Sequence, residues 1–348
     1  MKEMNLLMLG AFNKGSLENF YLRGFEKEGV SVTTFDIISP YYAMLNKSAV
    51  NRVINRINPS VFYKPINKTL QEFTGKTRYD AILIFKGMQL LPETISYLKK
   101  HTAILANYNT DHPFKFWSAG SGNKNILDSI SLYDLHFSYA KNIVARLVTD
   151  YGSTAYCVPF GYDRYASPEK NTSAGDFSES FLFVGACDDE RSKYLNEIKL
   201  PELAIYGDDA WHTRNWKRPY IQKAFRHKKL YDDDYSFAVR SSKGVINLLR
   251  KQNMEEDSHN MRTFEVPGYG GLLITQRTTE QMEYFEENKE AVFFDSTEEL
   301  NDKLLFLRNH TSVAEQIKTN AFKRSVNSGY SYDERSKQLL TVIRENLQ

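Results

Sequence analysis

The start of the chain holds the pattern that most constrains its fold. NLLMLGAF, beginning at Asn5, is an unbroken apolar run. LENFYLRGFEKEG follows it with apolar residues at helical spacing and a final glycine, and VSVTTFDI is a second apolar and β-branched run. A strand that is apolar on both faces is typical of a parallel sheet covered by helices on both sides. The pattern therefore predicts a β-α-β unit at the beginning of an α/β domain.

The same alternation continues to residue 165 and starts again at residue 181. The stretch between them, residues 166–180, is rich in Ser, Pro, Gly and Asn and is typical of a linker. A chain of 348 residues is long enough for two domains. We predict two Rossmann-like domains facing a central cleft, residues 1–165 and 181–330, and a C-terminal helix at 331–348 that packs back on the first domain.

Composition excludes several classes of protein. The chain has 45 basic and 43 acidic residues and a net charge of +2, which gives no general case for binding nucleic acid. Its two cysteines, Cys157 and Cys187, form neither a CxxC motif nor a His/Cys cluster, so neither a zinc site nor a disulfide framework is predicted. The N-terminal apolar stretch is too short for a signal peptide, and no run approaches the ~20 residues that span a bilayer. We therefore expect a cytoplasmic protein.

The segment RTFEVPGYGGLLIT, beginning at Arg262, places a proline and several glycines before an apolar strand. Because proline lacks an N–H group and fixes φ, Pro267 predicts the first turn of a helix that begins near Thr263, its N-cap. The N–H groups of residues 264–266, with Phe264 first, would then be free to bind an anion such as a diphosphate.

The charged side chains of this segment suit a nucleotide ligand. Arg262 can clamp a phosphate with two hydrogen bonds, and Glu265 can accept hydrogen bonds from a vicinal diol. Gly270 and Gly271 are expected to end the helix and to allow a tight turn into the strand. The alternative is that Arg262 and Glu265 pair with each other on one helix face.

Together with FLFVGACDDER, VPFGYD and the C-terminal GYSYDERSKQLL, this segment resembles the donor site of the GT-B glycosyltransferases, closest to the CgeB-like group and the large family 4 (group 1) type. The resemblance covers the second half of the chain well and the first half loosely. It implies that the C-terminal domain binds a nucleotide-sugar, UDP- or GDP-linked, and that the N-terminal domain binds a saccharide or lipid-linked saccharide acceptor. It also implies that Glu265 holds the ribose hydroxyls and that the enzyme needs no cofactor.

The resemblance implies further donor contacts. The family carries a second acidic residue eight positions before the glutamate. Here that position is Asp257, where the family has glutamate, so the donor sugar is contacted by Asp257 or by its neighbours Glu256 and His259. The other residues that we expect at the donor are Gly185, Arg191, Lys193 and Lys243. The alternative for Arg191 and Lys193 is a solvated helix face.

Candidate acceptor residues follow apolar strands of the first domain. Asp111 and His112 are candidates for the general base, which must come within hydrogen-bond reach of the acceptor hydroxyl. The alternative for Asp111 is an Asx turn before the proline that follows. The remaining candidates for acceptor contacts are Asn13, Lys14 and Lys86.

Two charged features leave alternatives open. The acidic clusters at 188–189, 208–209 and 232–234 share no spacing, so we predict no metal and expect basic side chains to neutralise the leaving diphosphate.

Residues 212–231 are basic with interleaved aromatics, and residues 51–70 are basic and amphipathic. Both are solvated faces or contacts with an anionic membrane surface, and we expect no nucleic-acid partner. The rival functions are a sugar-nucleotide epimerase of the same fold and a non-catalytic sugar-binding protein.

Overall fold

The structure, a computed structural model, describes residues 4–116, 120–166 and 177–347 of the chain. The chain divides into two compact units. The first comprises Met1–Pro159 with Tyr332–Gln348, and the second comprises Phe160–Ser331. Most of the predicted linker, residues 167–176, lies outside the described residues.

The first unit is built on a parallel sheet. Its strands and helices, in chain order, are β1 (Asn5–Gly10), α1 (Leu17–Lys27), β2 (Ser31–Asp36), α2 (Ser39–Leu45), α3 (Ala49–Ile57), α4 (Ser60–Thr74), β3 (Tyr79–Phe85), α5 (Pro92–Leu98), β4 (Thr102–Asn109), α6 (Lys124–Ser129), β5 (Leu135–Ser138), α7 (Lys141–Tyr151) and β6 (Ala155–Cys157). The strand order is β2-β1-β3-β4-β5-β6, with every pair parallel. The predicted alternation of strands and helices in the first part of the chain is confirmed.

The second unit repeats this architecture with five strands. Its elements are β7 (Phe181–Val184), α8 (Asp189–Asn196), β8 (Leu203–Tyr206), α9 (Ala210–Arg214), α10 (Pro219–Ala224), α11 (Asp232–Ser241), β9 (Gly244–Asn247), α12 (Lys251–Glu255), α13 (Arg262–Gly268), β10 (Leu273–Gln276), α14 (Thr279–Tyr284), β11 (Val292–Phe294), α15 (Thr297–Asn309) and α16 (Thr311–Asn327). The order β11-β10-β9-β7-β8 is again entirely parallel.

Burial explains why the strands read as continuous apolar runs. The residues Leu6–Leu9 of β1 are all fully buried, because helices cover both faces of the sheet. In the second unit Trp211 of α9 is also fully buried, and its indole N–H donates to the carbonyl of Gly185 at 2.8 Å. Each unit therefore has its own core, built from strand side chains and the apolar faces of its helices.

The strand orders place one switch point in each sheet. In the first unit the chain leaves β1 for β2 on one side and returns to β3 on the other. In the second unit β8 and β9 lie on opposite sides of β7 in the same way. In open α/β sheets, ligands bind beyond the carboxyl ends of the strands at such a point. The loops after β1 and β3, and those after β7 and β9, are therefore the positions where sites are expected.

The last helix, α17 (Tyr332–Asn346), belongs to the first unit and packs on α1. The rings of Phe20 and Tyr332 stack with centroids 5.0 Å apart. Gly24 of α1 lies against Ser336, and a Cβ atom built at Gly24 would lie 2.2 Å from the Ser336 Oγ and 2.6 Å from its Cβ. The two helices approach closely because Gly24 has no side chain.

We expect Gly24→Ala to destabilise the first unit. The added methyl group overlaps Ser336, and overpacking of this kind costs about 1–3 kcal/mol, which exceeds the gain in helix propensity. Urea unfolding measures the loss. Gly120→Ala is the control, since nothing lies within 4 Å of a Cβ atom built there. A Gly24→Ala variant as stable as this control, or a Gly24→Ala/Ser336→Gly protein no more stable than Gly24→Ala, would contradict this packing.

The described ranges contain neither a membrane-spanning helix nor a metal-binding cluster. No helix in residues 4–116, 120–166 and 177–347 is long and apolar enough to cross a membrane. In the same ranges, no group of three or more His, Cys, Asp or Glu side chains is arranged to hold a metal ion.

Candidate functional site

Arg191 joins the two loops at the switch point of the second unit. The chain leaves β7 through Gly185 and enters α8, where the Asp188 side chain accepts a hydrogen bond from the Arg191 N–H at 2.8 Å. The buried Arg191 guanidinium donates from Nε and Nη2 to the carbonyl of Leu248, at 3.2 and 2.9 Å. Because Leu248 follows β9, the arginine ties the end of β9 to the end of β7.

The positive charges of Arg250 and Arg262 act on Arg191 at this edge. Burial lowers the pKa of Arg191 to about 10; Asp188 opposes this shift, while the positive charges of Arg262 and Arg250 add to it. The Asp188 carboxylate lies 3.5 Å from the Arg191 Nε. Asp188 and Glu265 bring two carboxyl groups to three guanidinium groups, so positive charge is still in excess and an anion bound here would relieve the repulsion between the arginines.

Arg262 is the member of this group best placed for a ligand. A Cβ atom built at Gly185 would lie 3.7 Å from Arg262 Nη2, so the guanidinium lies beside the backbone that follows β7. Its Nε is buried and, within the described part of the chain, has no hydrogen-bond partner. A buried donor without a partner is costly, and ligand binding is one way of satisfying it.

Glu265 lies one turn after Arg262 and is half-buried. Burial raises the pKa of its carboxyl group, while the Arg262 charge and the Tyr235 hydroxyl oppose that rise. The rings of Tyr235 and Tyr269 pack edge to face at 5.9 Å, and Glu265 raises the pKa of both phenols in addition to their burial. The carboxyl group is therefore an acceptor held in an aromatic environment beside the arginine.

The beginning of α13 differs from its prediction. The helix begins at Arg262, and its N-cap is Met261, which has no capping side chain. The N–H groups of Phe264 and Glu265 both donate to the Met261 carbonyl at 3.0 Å, so the prediction that they are free to bind an anion is wrong. Pro267 lies in the last turn rather than the first, and the helix ends one residue later at Gly268.

Two predicted donor residues are part of the core. The Thr263 hydroxyl donates to Gln281 at 2.8 Å and is fully buried, so Thr263 is not an exposed N-cap. Phe264 is also fully buried and packs edge to face against His259 and Tyr284, with centroids 5.1 and 4.8 Å apart. Their role in this structure is to fix α13, which carries Arg262 and Glu265.

The glycines after α13 act as predicted. Gly270 has a φ of +81°, and the N–H of Gly271 donates to the Val266 carbonyl at 2.9 Å, which closes the helix end. A Cβ atom at Gly271 would lie 2.5 Å from a methyl group of Val239. Only glycine fits this close turn into β10.

The structure gives Asp257 a structural contact. Asp257 has a φ of +48°, and its Oδ1 accepts a hydrogen bond from the N–H of Thr279 at 2.8 Å, at the beginning of α14. His259 is fully buried. Its Nε2 accepts from the N–H of Phe160 at 3.3 Å, so its proton lies on Nδ1, 3.3 Å from the Glu280 carboxylate. Both side chains hold loops of the second unit together.

Lys193 and Lys243 lie in different places. Lys193 is exposed and lines a cavity of about 360 Å³ together with Arg191, Leu248 and Gln276, beyond the carboxyl ends of the strands. Lys243 precedes β9, at the amino end of the strand, and its ammonium pairs with Glu179 at 2.7 Å. The expectation that Lys243 shares the edge of the arginines is therefore corrected, because the two ends of a strand face opposite edges of the sheet.

Lys86 and Asp111 form an ion pair in the first unit. Lys86 follows β3 with a φ of +60°, and its ammonium contacts both the Asp111 carboxylate and the carbonyl of Gly120. In the loop after β4, Asn109 forms an Asx turn, because its Oδ1 accepts a hydrogen bond from the Asp111 N–H at 2.9 Å. The Asp111 carboxylate is partly exposed beside Lys86.

His112 is fully buried. Its Nδ1 accepts hydrogen bonds from the N–H groups of Phe114 and Lys115 at 3.1 and 3.0 Å, which places its proton on Nε2. The Nδ1 lone pair is thus taken up by the loop backbone. Of the two predicted bases, Asp111 is partly exposed and His112 is fully buried.

The loop after β1 contributes Asn13 and Lys14, which are both exposed. The Asn13 side chain accepts from the Ser39 hydroxyl at 3.3 Å. The same loop brings in Glu18, which the sequence analysis missed and whose Oε1 accepts from the Ala11 N–H at 2.9 Å. Burial raises the pKa of Glu18, and Asp36 adds to this effect while Lys86 opposes it.

Two more residues of the second unit were not predicted from the sequence as part of the site. Arg250 directly follows the apolar strand segment GVINLL, a position that marks the carboxyl end of a strand and could have been recognised. Tyr235 lies in the middle of α11, and nothing in the local sequence indicates that it faces Glu265.

The two parallel sheets and their helices define the GT-B fold, as predicted, and solved structures of that fold match this chain over nearly its whole length. A glycosyltransferase from Rickettsia africae is 12% identical, with a TM-score of 0.63 and 100% of both chains covered. A putative UDP-N-acetylglucosamine 2-epimerase from Listeria monocytogenes is 13% identical, with a TM-score of 0.62 over 100% of this chain and 97% of that chain. Anabaena HepE, solved with UDP and glucose, is 12% identical, with a TM-score of 0.62 over 98% and 100% of the two chains.

Residues 190–341 match the model of a family described as glycosyl transferase-like. The match includes Arg191, Arg250, Arg262 and Glu265. No curated protein matches the chain. The family match and the fold together confirm the resemblance to the group 1 glycosyltransferases and support a transferase.

Proposed function

We propose that this protein transfers a hexosyl group from a nucleoside-diphosphate sugar, bound at the carboxyl edge of the second unit's sheet, to a hydroxyl acceptor. The observation that carries the proposal is that the buried Arg191 and the Arg262 guanidinium beside Gly185 lie at the switch point between β7 and β9, where the positive charges of Arg262 and Arg250 act on Arg191. Positive charges at this edge suit the diphosphate, the one strongly anionic part of such a donor.

Each group has a chemical role in the proposed reaction. As the bond between the anomeric carbon and the diphosphate oxygen breaks, negative charge builds up on the diphosphate. Arg262, with its buried Nε lacking a partner in the described chain, stabilises that charge together with Arg250 and Arg191. Glu265 accepts hydrogen bonds from the ribose hydroxyls. The acceptor oxygen forms the new bond to the anomeric carbon and gives up its proton.

The acceptor is proposed at the corresponding edge of the first unit. Asn13, Lys14 and Glu18 follow β1, and Lys86 follows β3, so these residues flank the switch point of that sheet. Asp111, which pairs with Lys86, follows the next strand, β4. Asp111 is the proposed base because its carboxylate is partly exposed. A saccharide or lipid-linked saccharide suits such a polar edge, and we place the reaction in the cytoplasm, in the synthesis of a cell-surface polysaccharide or glycoconjugate.

The donor is proposed to be UDP- or GDP-linked. The support for UDP is the structural neighbour HepE, which was solved with UDP and glucose. The donor test incubates the protein with UDP- and GDP-sugars and measures release of the nucleoside diphosphate. We expect slow release without an acceptor, through hydrolysis, and faster release with one.

An epimerase is the second candidate, because the fold is shared with the putative epimerase from Listeria monocytogenes. NMR of the same reaction mixtures separates the two functions. An epimerase interconverts sugar stereoisomers that remain attached to the nucleotide, whereas a transferase separates sugar and nucleotide. Conversion of the donor to an isomer, with the diphosphate link intact, would replace the proposal.

We expect the reaction to proceed in the presence of EDTA with its rate unchanged within about twofold. The physical reason is that three guanidinium groups supply the positive charge that a divalent ion supplies in other sites. The assay compares diphosphate release in EDTA with release in added Mg²⁺ or Mn²⁺. Loss of activity in EDTA that either ion restores would contradict metal independence.

A further inference from the structure

The short helix α3 of the first unit is amphipathic, but its polar side faces the protein and its apolar side faces solvent. Its polar residues attach it to the protein. The Asn51 side chain donates to the Met44 carbonyl at 2.7 Å, and the Asn55 side chain accepts from the Tyr41 hydroxyl at 3.0 Å. Ser48 caps the helix through the Asn51 N–H at 3.1 Å. No residue of α3 is buried, so the helix contributes nothing to the core.

The apolar residues of α3 face outward. Val50, Val53, Ile54 and Ile57 follow helical spacing on one side, and we call them the apolar face of α3. Their exposed fractions are 64%, 53%, 36% and 80%. An ordinary surface helix turns this stripe toward the core. A stripe turned to solvent marks an interaction surface.

The positive charge of the chain around this face indicates the kind of partner that it binds. From Ile37 to Gln71 the chain contains no aspartate or glutamate, and it contains five basic residues, Lys47, Arg52, Arg56, Lys64 and Lys68. All five are exposed. Exposed aliphatic side chains in a stretch whose only charges are positive match an anionic bilayer, where the apolar face enters the headgroup region and the basic groups contact lipid phosphates.

We propose that the apolar face of α3 binds the surface of a membrane that contains anionic lipids. Two other partners fit less well. A second copy of the chain would bring two basic faces together, and these repel each other. A nucleic acid would satisfy the basic residues but would give four aliphatic side chains no apolar partner. The inference does not depend on sugar transfer, because vesicle binding is measured without a nucleotide-sugar.

The test is co-sedimentation of the full chain with vesicles of phosphatidylcholine alone and of phosphatidylcholine with phosphatidylglycerol. We expect binding to the anionic vesicles, weakened by salt. Ile54→Ser/Ile57→Ser should reduce binding by at least about tenfold because it removes the inserted groups. Arg52→Gln/Arg56→Gln should reduce it by about fivefold for each charge removed. These residues are exposed, so both variants should fold.

Matched controls change exposed residues elsewhere. Val313→Ser/Val326→Ser removes two exposed aliphatic groups from α16 and should leave vesicle binding unchanged. Trp216→Ala tests the basic stretch 212–231, where Trp216 is 70% exposed. Loss of binding in Trp216→Ala with full binding in Ile54→Ser/Ile57→Ser would overturn the proposal. So would absence of binding to anionic vesicles, a dimer that the α3 variants dissociate, or binding only to an oligonucleotide.

Discussion

Replacing Arg262 by alanine is expected to lower kcat/KM for the nucleotide-sugar by about 100- to 1000-fold, the usual loss when one stabilising donor is removed from a site of charge development. Arg262 lies beside the Gly185 backbone, and its Nε is buried without a partner among the described residues. Its charge is therefore available to a ligand. Because the charge on the leaving diphosphate grows as the bond breaks, the loss should fall on kcat as well as on donor affinity.

Two further variants make this prediction specific. Arg262→Lys should restore only part of the activity, because lysine keeps the charge but not the forked pair of donors. Arg308→Ala removes an arginine of the same unit that pairs with Glu202 at 2.8 Å on the surface, and its activity should match that of the wild type. An Arg262→Ala protein that folds and retains more than about a tenth of wild-type kcat/KM would contradict the assigned role.

Glu265→Gln is expected to stabilise the folded protein at pH 7 while weakening nucleoside-diphosphate binding by about 10- to 100-fold. Burial raises the pKa of Glu265 above its ordinary value of 4.5, so the folded protein holds this proton more tightly than the unfolded chain does. The stabilising contribution is present below pH 4.5 and is lost as the pH rises through the raised pKa. Near neutral pH the wild type carries the cost of a half-buried charge, which glutamine avoids.

Thermal unfolding at several pH values tests the predicted direction of this difference in stability. The variant should melt a few degrees higher than the wild type at pH 7, and the difference should shrink as the pH falls toward 4.5. Binding is weakened because a carboxylate accepts hydrogen bonds from ribose hydroxyls more strongly than an amide does. Glu72→Gln, an exposed carboxylate of the first unit, is the control and should change neither property. A Glu265→Gln protein that is less stable at pH 7 and binds nucleotide normally would contradict both parts.

The fold could be predicted from the sequence because buried strands have a recognisable apolar pattern. Runs such as NLLMLGAF and YDAILIF are apolar without interruption, since helices cover both faces of the sheet. The helices α2 and α3 were not predicted. The apolar positions of α3 face solvent and its polar positions face the protein, so its pattern does not indicate how it packs.

The candidate site was predictable only in part. Arg191, Arg262 and Glu265 were found because they follow apolar strands or stand in a family-like segment. Thr263 and Phe264 were misplaced, because which side of a seven-residue helix is buried depends on neighbours such as Gln281, which is distant in sequence.

The orientations of Asp257 and His112 could not be predicted from the sequence either. Asp257 stands eight positions before Glu265, but its positive φ turns its carboxylate toward the Thr279 N–H. Spacing along the chain does not encode that turn. His112 likewise looks like an available base in the sequence, yet its Nδ1 is taken up by two backbone N–H groups.

The most direct test of the central claim is calorimetric titration of the wild type and of Arg262→Ala with UDP, GDP, CDP and dTDP. If the arginines after β7, after β9 and in α13 form a diphosphate site, one of these nucleotides should bind the wild type with one-to-one stoichiometry, and Arg262→Ala should lose most of that affinity. Absence of binding by all four nucleotides to the folded wild type, or equal binding by the two proteins, would contradict the claim.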